Sequence, residues 1–334
     1  MNNLLTIGII TFNEEERIKK TILSCKKLTN NILVIDSFST DRTLEICKEL
    51  DVKVIQNIWE GYCNQKNFMI KNCKTKWILS LDSDEILTEK IIDNIRHTIK
   101  NNYKYSGYYL HRYTVFNDVK LNYIFWNDYP LRLFINKNAY FKGSPHDKLI
   151  IDGKKKILKG DIVHYSFKNV YHHLEKCVKY GKLLGMVKLN KNIYSNIFFI
   201  FINCFIQFFK LYIFKLGFLD GIYGIYFSFT HVLASVLKYY YLYILKYKVK
   251  ETKYLKNLEK NLKSIDEQSK LKADIDFKNG LKTNYVSILF ITYFMFLKYY
   301  IIDLNFLNNI SGLLYSLILT LKIFLEKYYL YIKQ

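Results

Sequence analysis

The sequence predicts an α/β protein with a mainly parallel, doubly wound sheet in its first half and a basic helical region in its second. Three observations support this prediction. Continuous apolar runs alternate with helical patterns over residues 1–100. Short alternating runs separated by turn residues follow over residues 107–166. From Asn169 onwards the pattern is helical, and three apolar stretches lie among lysines.

Four apolar runs in the first hundred residues are typical of buried parallel strands. They cover residues 5–11, 32–35, 52–56 and 77–81. Helices are expected between them, and Asn13 is the predicted N-cap of the first helix, with three glutamates in its first turn. A further helix is predicted over residues 88–100, where four isoleucines share one face.

The middle of the chain is predicted to be rich in short strands. The candidate strands cover residues 107–116, 132–135, 139–141, 148–151 and 162–165. Residues 136–138 and 152–153 have the composition of turns, and both prolines of the chain, Pro130 and Pro145, lie in this region.

The composition excludes some classes of protein and leaves others open. Half of the 334 residues are hydrophobic and only 2 are proline, so a disordered or collagenous chain is excluded. The net charge is +21, and Lys+Arg exceed Asp+Glu by 5 in residues 1–150 but by 16 in residues 151–334. Such an excess is compatible with nucleic acid, an anionic membrane or an anionic substrate, and codon bias is an alternative source of the lysines.

The cysteines and the N-terminus predict a cytoplasmic protein. The 6 cysteines form no Cys-x-x-Cys pair and no zinc-spaced cluster, so reduced thiols are expected. Acidic residues interrupt the first apolar run directly after Asn13, and we therefore expect no secretory signal peptide.

The second half contains apolar stretches at residues 193–209, 285–297 and 310–321. A spanning helix needs about 20 mainly apolar residues. Because polar residues interrupt the first stretch and the others are shorter, we expect interfacial helices, or a tight hairpin, that enter one leaflet. An ordinary helical core is the alternative. The lysines expected near anionic headgroups are Lys210, Lys215, Lys238, Lys246, Lys248 and Lys250.

Polar residues follow three of the predicted parallel strands, at residues 11–14, 36–37 and 82–85. The carboxyl ends of such strands form the ligand-binding edge of an open α/β sheet. No Gly-x-Gly-x-x-Gly segment and no P-loop is present, which disfavours a dinucleotide-dependent oxidoreductase and an NTPase. Asp82 and Asp84 are two like charges at one strand end, a pattern that favours a bound Mg²⁺ or Mn²⁺ ion, although a solvated turn is the alternative.

Several segments together resemble a known family. Residues 6–14, 34–41 and 78–85 are similar to the pattern of family 2 glycosyltransferases. Residues 60–67, 129–134, 144–147, 164–166 and 217–221 are similar to its narrower branch of lipopolysaccharide core glucosyltransferases, the WaaE type. Residues 124–127 depart from that branch, which has glycines there, and the segment after residue 250 lies outside the resemblance.

The resemblance implies a GT-A fold, the nucleotide-diphospho-sugar transferase fold, with a Rossmann-like sheet followed by a helical, membrane-associated region. It also implies a nucleotide-sugar donor and inversion at the anomeric carbon. Asp36 would then hold the uracil or ribose, and Thr11 and Glu14 would line the same pocket. Turn capping is the alternative role for Asp36.

The remaining donor and metal residues also come from the resemblance. Asp82 would contact the ribose or sugar, Lys66 would face the donor phosphate or sugar, and Asp84 would bind the divalent cation on the diphosphate. Lys66 could equally be a surface lysine.

Inversion requires one base that takes the proton of the acceptor hydroxyl, and Asp147 is the candidate. The related branch usually has Glu there, and a plain turn residue is the alternative. Arg132, His146 and His164 are candidates for contacts with acceptor or phosphate. Arg132 could instead be a sheet-edge residue and His164 a core histidine.

The sequence thus predicts an inverting, metal-dependent glycosyltransferase that moves a hexose from a UDP-hexose, most simply UDP-glucose, onto a lipopolysaccharide-core or other glycolipid sugar. A polyprenyl-phosphate or surface-polysaccharide intermediate is the alternative acceptor. A basic nucleic-acid- or membrane-binding scaffold is the non-enzyme alternative, but the intact acids argue against it, and we expect no nucleic-acid partner.

The expected location is the cytoplasmic face of the inner membrane, on an anionic surface, in a peripheral or monotopic manner. In the expected organisation, residues 1–100 bind the nucleotide sugar, and residues 101–190 form the acceptor-binding, catalytic half. Residues 191–250 form basic membrane-associated helices, and residues 251–334 form a charged linker and hydrophobic helices.

Overall fold

The computed structural model describes residues 1–101, 104–143, 147–193, 196–247, 258–303 and 309–334. These residues divide into two compact units. Unit 1 consists of Met1–Lys120 and Phe125–Ser166, and unit 2 consists of Leu121–Ile124 and Phe167–Gln334.

Unit 1 is built on one large mixed sheet. Its strands in chain order are β1 (Leu5–Thr11), β2 (Ile32–Asp36), β3 (Lys53–Gln56), β4 (Trp77–Asp82), β5 (Glu85–Leu87), β6 (Gly107–Phe116), β7 (Val119–Lys120), β8 (Leu131–Ile135) and β11 (Lys155–His164). The order across the sheet is β3-β2-β1-β4-β8-β6-β11-β5, with β7 paired to β6. The first four strands are parallel, as the sequence predicts, and β8 joins β4 in the antiparallel direction. A separate hairpin contains β9 (Tyr140–Lys142) and β10 (Lys148–Ile150).

Helices cover the parallel part of the sheet. They are α1 (Ile18–Lys26), α2 (Thr43–Glu49), α3 (Tyr62–Asn72) and α4 (Glu89–Asn101). Successive residues of a strand face opposite sides, so β4 contributes to two cores. Leu79 and Leu81 pack with the isoleucines of α1 and α4, whereas Ile78 packs with Met69 of α3.

The loop after β1 differs from the prediction. Asn13 is not an N-cap: its backbone is left-handed (φ 53°), and α1 begins only at Ile18. Its side-chain oxygen instead accepts a 2.8 Å hydrogen bond from the backbone N–H of Thr40. Asn tolerates the left-handed conformation, and its side chain readily forms hydrogen bonds with nearby backbone groups. Both properties suit a helix cap and a loop contact, so the sequence alone does not distinguish these two roles. The contact ties the loop after β1 to the loop after β2.

Unit 2 is helical. Its helices are α5 (Val170–Asn190), α6 (Ile197–Phe209), α7 (Ile222–Tyr247), α8 (Leu258–Lys278), α9 (Tyr285–Leu297) and α10 (Asn309–Lys333). Wider, π-helical turns continue α6 over Lys210–Phe214 and α9 over Lys298–Ile302. Tyr226 of α7 stacks on Phe324 and Tyr328 of α10, so the end of the chain is part of this core.

The apolar stretches of the second half have different surroundings. Residues 310–321 lie in α10, whose leucines are buried, so the core alternative holds there rather than an interfacial helix. The stretch predicted to end at Leu297 continues helically, and Tyr285–Ile302 is long and apolar enough to cross a membrane by length and composition, with a mean hydropathy of 1.6. Burial in unit 2 lowers the pKa of Lys238, which is not a freely exposed lysine. Residues 248–257 lie outside the described residues.

A glycine in β11 tests the packing of α4 on the sheet. Gly160 has φ +108°, and a Cβ there would lie 2.8 Å from the backbone of Ile91. We expect Gly160→Ala to lower the free energy of unfolding by about 2–4 kcal/mol, because the backbone of α4 would have to move. Urea denaturation measures this. The neighbouring Lys159→Ala, at an exposed position, should change the value by less than about 0.5 kcal/mol, and equal effects at both positions would contradict the packing argument.

Candidate active site

Three parallel strands end at the same edge of the sheet in unit 1. β1 pairs with β2 so that Thr11 lies opposite Asp36, and it pairs with β4 so that Ile10 lies opposite Asp82. Ligands of open α/β sheets bind at this edge. The strand register therefore brings together polar residues that are far apart in the sequence.

Asp82 ends β4, and three basic side chains surround its carboxylate. Arg132 Nη2 donates a 2.5 Å hydrogen bond to Oδ2, Lys66 Nζ lies 3.4 Å from Oδ1, and Arg112 Nη1 lies 3.8 Å from Oδ2. Burial alone would raise the pKa of Asp82, but these cations hold it well below its usual range. Asp82 is therefore a carboxylate at neutral pH.

Glu85 is completely buried and joins the same group of charges. Arg112 Nη1 donates a 2.7 Å hydrogen bond to Glu85 Oε1, and Arg132 Nη2 donates to the same oxygen. The backbone N–H of Asp82 donates to Oε2 at 3.1 Å, and Arg112 Nε donates to Asp128 at 2.7 Å. We call these five residues the charge cluster. Because the buried carboxylate of Glu85 faces two arginines, its charge can exist at low dielectric.

Lys66 of α3 lies between two carboxylates. It is 4% exposed, and its Nζ donates a 2.8 Å hydrogen bond to Asp147 Oδ2 while lying 3.4 Å from Asp82 Oδ1. The ammonium also lies 5.2 Å from the ring centroid of Phe141. Lys66 is thus not a surface lysine, and it brings Asp147 to the group that contains Asp82.

Asp84 has partners different from those of Asp82. His164 Nε2 lies 3.5 Å from Asp84 Oδ1, and Arg17 Nη1 lies 3.5 Å from Oδ2. Burial by itself would raise the pKa of Asp84, whereas His164 and Arg17 lower it below its usual range. The other ring nitrogen of His164, Nδ1, is 2.7 Å from the hydroxyl of Ser166. That contact fixes the orientation of the imidazole towards Asp84.

The residues proposed for the nucleotide lie at the ends of β1 and β2. Asp36 is completely buried, and its Oδ2 accepts hydrogen bonds from the backbone N–H of Ser39 (2.9 Å) and from Gln56 Nε2 (3.1 Å). Turn capping is therefore part of what Asp36 does. Thr11 Oγ1 is buried and has no hydrogen-bond partner among the described residues. Because an unpaired buried hydroxyl costs free energy, this atom is suited to a ligand.

Glu14 makes a bidentate pair with Arg17. The Nε and Nη2 atoms of Arg17 donate to the two carboxylate oxygens at 2.7 and 2.6 Å. Nη1 of Arg17 donates to the backbone oxygen of Tyr165 at 2.6 Å. Since Arg17 also approaches Asp84, it connects the loop after β1 with the end of β4.

The three remaining candidates have different outcomes. Arg132 is 4% exposed and belongs to the charge cluster, so its guanidinium is occupied by Asp82 and Glu85 rather than presented to phosphate or acceptor. It is not a sheet-edge residue either, because β8 lies between β4 and β6. His164 lies beside Asp84, and His146 lies outside the described residues.

The donor set at Asp84 fits a divalent cation that also binds the substrate. Among the described residues, no group of three or more His, Cys, Asp or Glu side chains forms a complete metal site. Mg²⁺ is commonly held by one or two carboxylates together with substrate phosphates. Asp84 and His164 provide such an incomplete set, whereas the oxygens of Asp82 are occupied by cationic side chains.

The sequence predicted no role for Arg17 or Arg112, and it indicated Glu85 only as part of the polar segment 82–85. Arg112 lies between His111 and Tyr113 in β6, and Arg17 precedes α1. Neither has a motif of its own. The sequence did contain one indication that such arginines exist. Several acids follow one another at the end of β4, and carboxylates that are close together in a sheet require cations from elsewhere in the chain.

The comparison with known proteins decides the family. The pattern described as "Glycosyl transferase family 2" matches residues 6–210, more than half of the chain. The chain belongs to glycosyltransferase family 2. That family consists of glycosyltransferases, and unit 1 has its GT-A fold.

This glycosyltransferase is similar to several named proteins. It is 32% identical over 186 residues to an uncharacterized glycosyltransferase of Rickettsia typhi, which covers 52% of this chain and 64% of that one. The chain thus spans a little under two thirds of that relative. It is 30% identical over 92 residues to the lipopolysaccharide core biosynthesis glycosyltransferase LpsC of Rhizobium meliloti, 26% of this chain and 34% of LpsC. The crystal structure of S. aureus TarS 1–349 in complex with UDP-GlcNAc is 16% identical with a TM-score of 0.41, covering 56% of this chain and 67% of that one.

The charge cluster can be tested through stability. We expect Arg132→Met to lower the free energy of unfolding by about 3–5 kcal/mol, because it leaves buried carboxylates with too few cations. The control Arg42→Met removes an arginine whose side chain is 65% exposed, and it should cost less than about 1 kcal/mol. Urea denaturation at neutral pH compares the two variants, and a stable Arg132→Met protein would show that the cluster is not structural.

Proposed function

We propose that this glycosyltransferase moves a hexose from a nucleotide-diphosphate sugar, UDP-glucose, onto a sugar of a lipopolysaccharide core or another glycolipid, with inversion at the anomeric carbon. One observation carries the proposal: Asp82, Asp84, Lys66 and Asp147 meet at the carboxyl end of β4. Such a group can serve a diphosphate, a cation and an acceptor hydroxyl at one place.

The donor would bind along the ends of β1, β2 and β4. The free Oγ1 of Thr11 would bond to the nucleoside, with Asp36 and Glu14 shaping the same pocket. Asp82 would contact the ribose or sugar. This role suits its geometry, because Arg132 orients the carboxylate from the side of Oδ2.

Asp84 and His164 would hold Mg²⁺ or Mn²⁺. When bound, the cation would neutralise charge that develops on the leaving diphosphate. His164 and Arg17 hold the pKa of Asp84 below its usual range against the effect of burial, so the carboxylate is ready to act as a ligand. Lys66 would face the same diphosphate or the sugar.

Asp147 would be the base. Lys66 holds its Oδ2 at 2.8 Å, and the side chain is 22% exposed, so Oδ1 can receive a proton. The acceptor hydroxyl would attack the anomeric carbon while its proton moves to Asp147 and the bond from the anomeric carbon to the diphosphate oxygen breaks. The nucleoside diphosphate then leaves with the electron pair of that bond.

The acceptor and the location follow from the sequence resemblance to the WaaE-type branch and from the partial similarity to LpsC. We assign residues 1–100 to donor binding, residues 101–190 to the acceptor and catalysis, residues 191–250 to attachment at the cytoplasmic face of the inner membrane, and residues 251–334 to a charged linker and hydrophobic helices. The lysine-rich second half supports an anionic membrane as the partner.

Replacement of the proposed metal ligand tests the metal site. We expect Asp84→Asn to reduce metal-dependent release of UDP from UDP-glucose by 10²-fold or more, because an amide carries no charge for the cation. The control Asp93→Asn changes an acid whose side chain is 72% exposed and should keep full activity. Turnover is measured with a panel of nucleotide sugars, with Mg²⁺ or Mn²⁺ and with EDTA. Unchanged metal-dependent turnover in Asp84→Asn would refute the assignment.

Replacement of the proposed base tests the chemical step separately. We expect Asp147→Asn to lower the transfer rate by roughly 10²–10⁴-fold, since an amide cannot accept the proton. Asp147→Glu should retain much of the activity, whereas UDP binding, measured by calorimetry, should be little affected in both variants. The exposed Asp152→Asn is the control. Full transfer by Asp147→Asn would mean that another group is the base.

A further inference from the structure

Helix α6 and the turn after it present an apolar face to solvent. Their inner face packs on α7, where Ile200 and Cys204 are buried and Asn203 Nδ2 donates a 3.0 Å hydrogen bond to Ser235 Oγ. The outer face carries large side chains that are 43–81% exposed: Phe199, Phe205, Ile206, Phe209, Ile213 and Phe214. Phe214, with 81% of its surface exposed, is the extreme case among these.

Helix α9 lies beside α6 and has the same character. Phe201 and Tyr300 stack with their ring centroids 5.8 Å apart, which joins α6 to the turn that continues α9. Ile288 and Thr292 are buried against the rest of unit 2. The outer side chains are 44–71% exposed: Val286, Phe290, Tyr293, Phe294, Ile301 and Ile302. We call the exposed side chains of α6, α9 and their π-helical turns the apolar face.

The segments that carry the apolar face have an excess of positive charge. Residues 193–219 and 279–302 contain four lysines, at positions 210, 215, 282 and 298, and no Asp or Glu. Acids lie at the end of α9, where Asp303 follows Ile302 and Glu326 acts electrostatically on Tyr299. An apolar surface with aromatic side chains and nearby lysines has the chemistry that binds an anionic lipid surface.

We propose that the apolar face inserts into one leaflet of an anionic bilayer, with α6 and α9 lying in the plane of the membrane. This inference deepens the proposed function. It rests on that function for one point, namely that the acceptor is carried by a lipid and is therefore found at the membrane. It also narrows the expected set of lysines, because Lys210, Lys215 and Lys298 lie on the segments that carry the face, whereas Lys238 lies on α7 and is only partly exposed.

The in-plane arrangement follows from what each helix contacts. At about 1.5 Å per residue, the 18 residues of Tyr285–Ile302 reach about 27 Å, at the short end of the lengths that span a hydrocarbon core of roughly 30 Å. Lys298 also lies within that segment. One side of α9 packs on α10, and α10 packs on the charged helix α8, so a spanning α9 would draw charged side chains towards the lipid.

The test measures binding of the full chain to vesicles of phosphatidylcholine with and without one third phosphatidylglycerol. We expect Ile206→Ser/Phe214→Ser to reduce co-sedimentation with the anionic vesicles at least tenfold. The matched control Ile157→Ser/Leu271→Ser changes two side chains that are 57% and 63% exposed but lie outside the face, and it should bind as the unaltered protein does. Phe214→Ser alone, at the most exposed of these positions, should give an intermediate loss while the thermal midpoint stays unchanged.

The charge requirement is tested in the same assay. Lys210→Gln/Lys215→Gln should remove most of the preference for phosphatidylglycerol, whereas Lys260→Gln/Lys263→Gln on α8, both exposed, should not. The proposal is overturned if the unaltered chain does not bind, or if the Ile206/Phe214 variant binds equally well. It is also overturned if this variant changes only the sedimentation coefficient in solution, which would make the face a contact between copies of the chain.

Release of UDP from UDP-glucose without vesicles separates the two proposals. Vesicle binding without any donor turnover would refute the proposed function and leave the membrane face standing. Donor turnover with no vesicle binding would refute the membrane-binding role of the apolar face and leave the proposed function standing.

Discussion

The site in unit 1 depends on one physical constraint: carboxylates at the end of a buried strand must be neutralised by cations from other elements. Glu85 is completely buried and the side chain of Asp82 is 29% exposed, so the sheet removes much of the water from around these two charges. Arg132 from β8 and Arg112 from β6 supply the countercharges. Strands β6 and β8 therefore do more than extend the sheet, because they carry the cations that the acids at the end of β4 need.

The same constraint separates the roles of the two aspartates. Asp82 has an arginine on one oxygen and a lysine near the other, so it is held in place and has little capacity left for a metal ion. Among the residues that the structure describes, the ion pairs of the Asp84 carboxylate are longer, both of 3.5 Å, with His164 and Arg17. A cation could replace such contacts at moderate cost, since they are beyond normal hydrogen-bond distance. The spacing of one residue between the two acids thus places a fixed carboxylate beside an available one.

The sequence was informative where local pattern decides structure. The four parallel strands and the position of the acids follow from apolar runs and from what comes after them, and both are local properties. Arg132 could not be placed in this way, because the role of a buried arginine depends on which carboxylate the antiparallel strand brings next to it. Asn13 is a second residue that local pattern could not place. Its side chain suits a helix cap and a loop contact equally, and the residue that decides between them, Thr40, lies 27 residues further along the chain.

Lys66 connects the donor residues to the proposed base. Its ammonium lies within 3.4 Å of both Asp82 and Asp147, and its stem is buried next to Phe141, so it has little freedom to move away. A diphosphate entering the site would add negative charge close to this ammonium and would compete with Asp147 for it. Lys66 is thus the residue through which the proposed donor site and the proposed base are in contact.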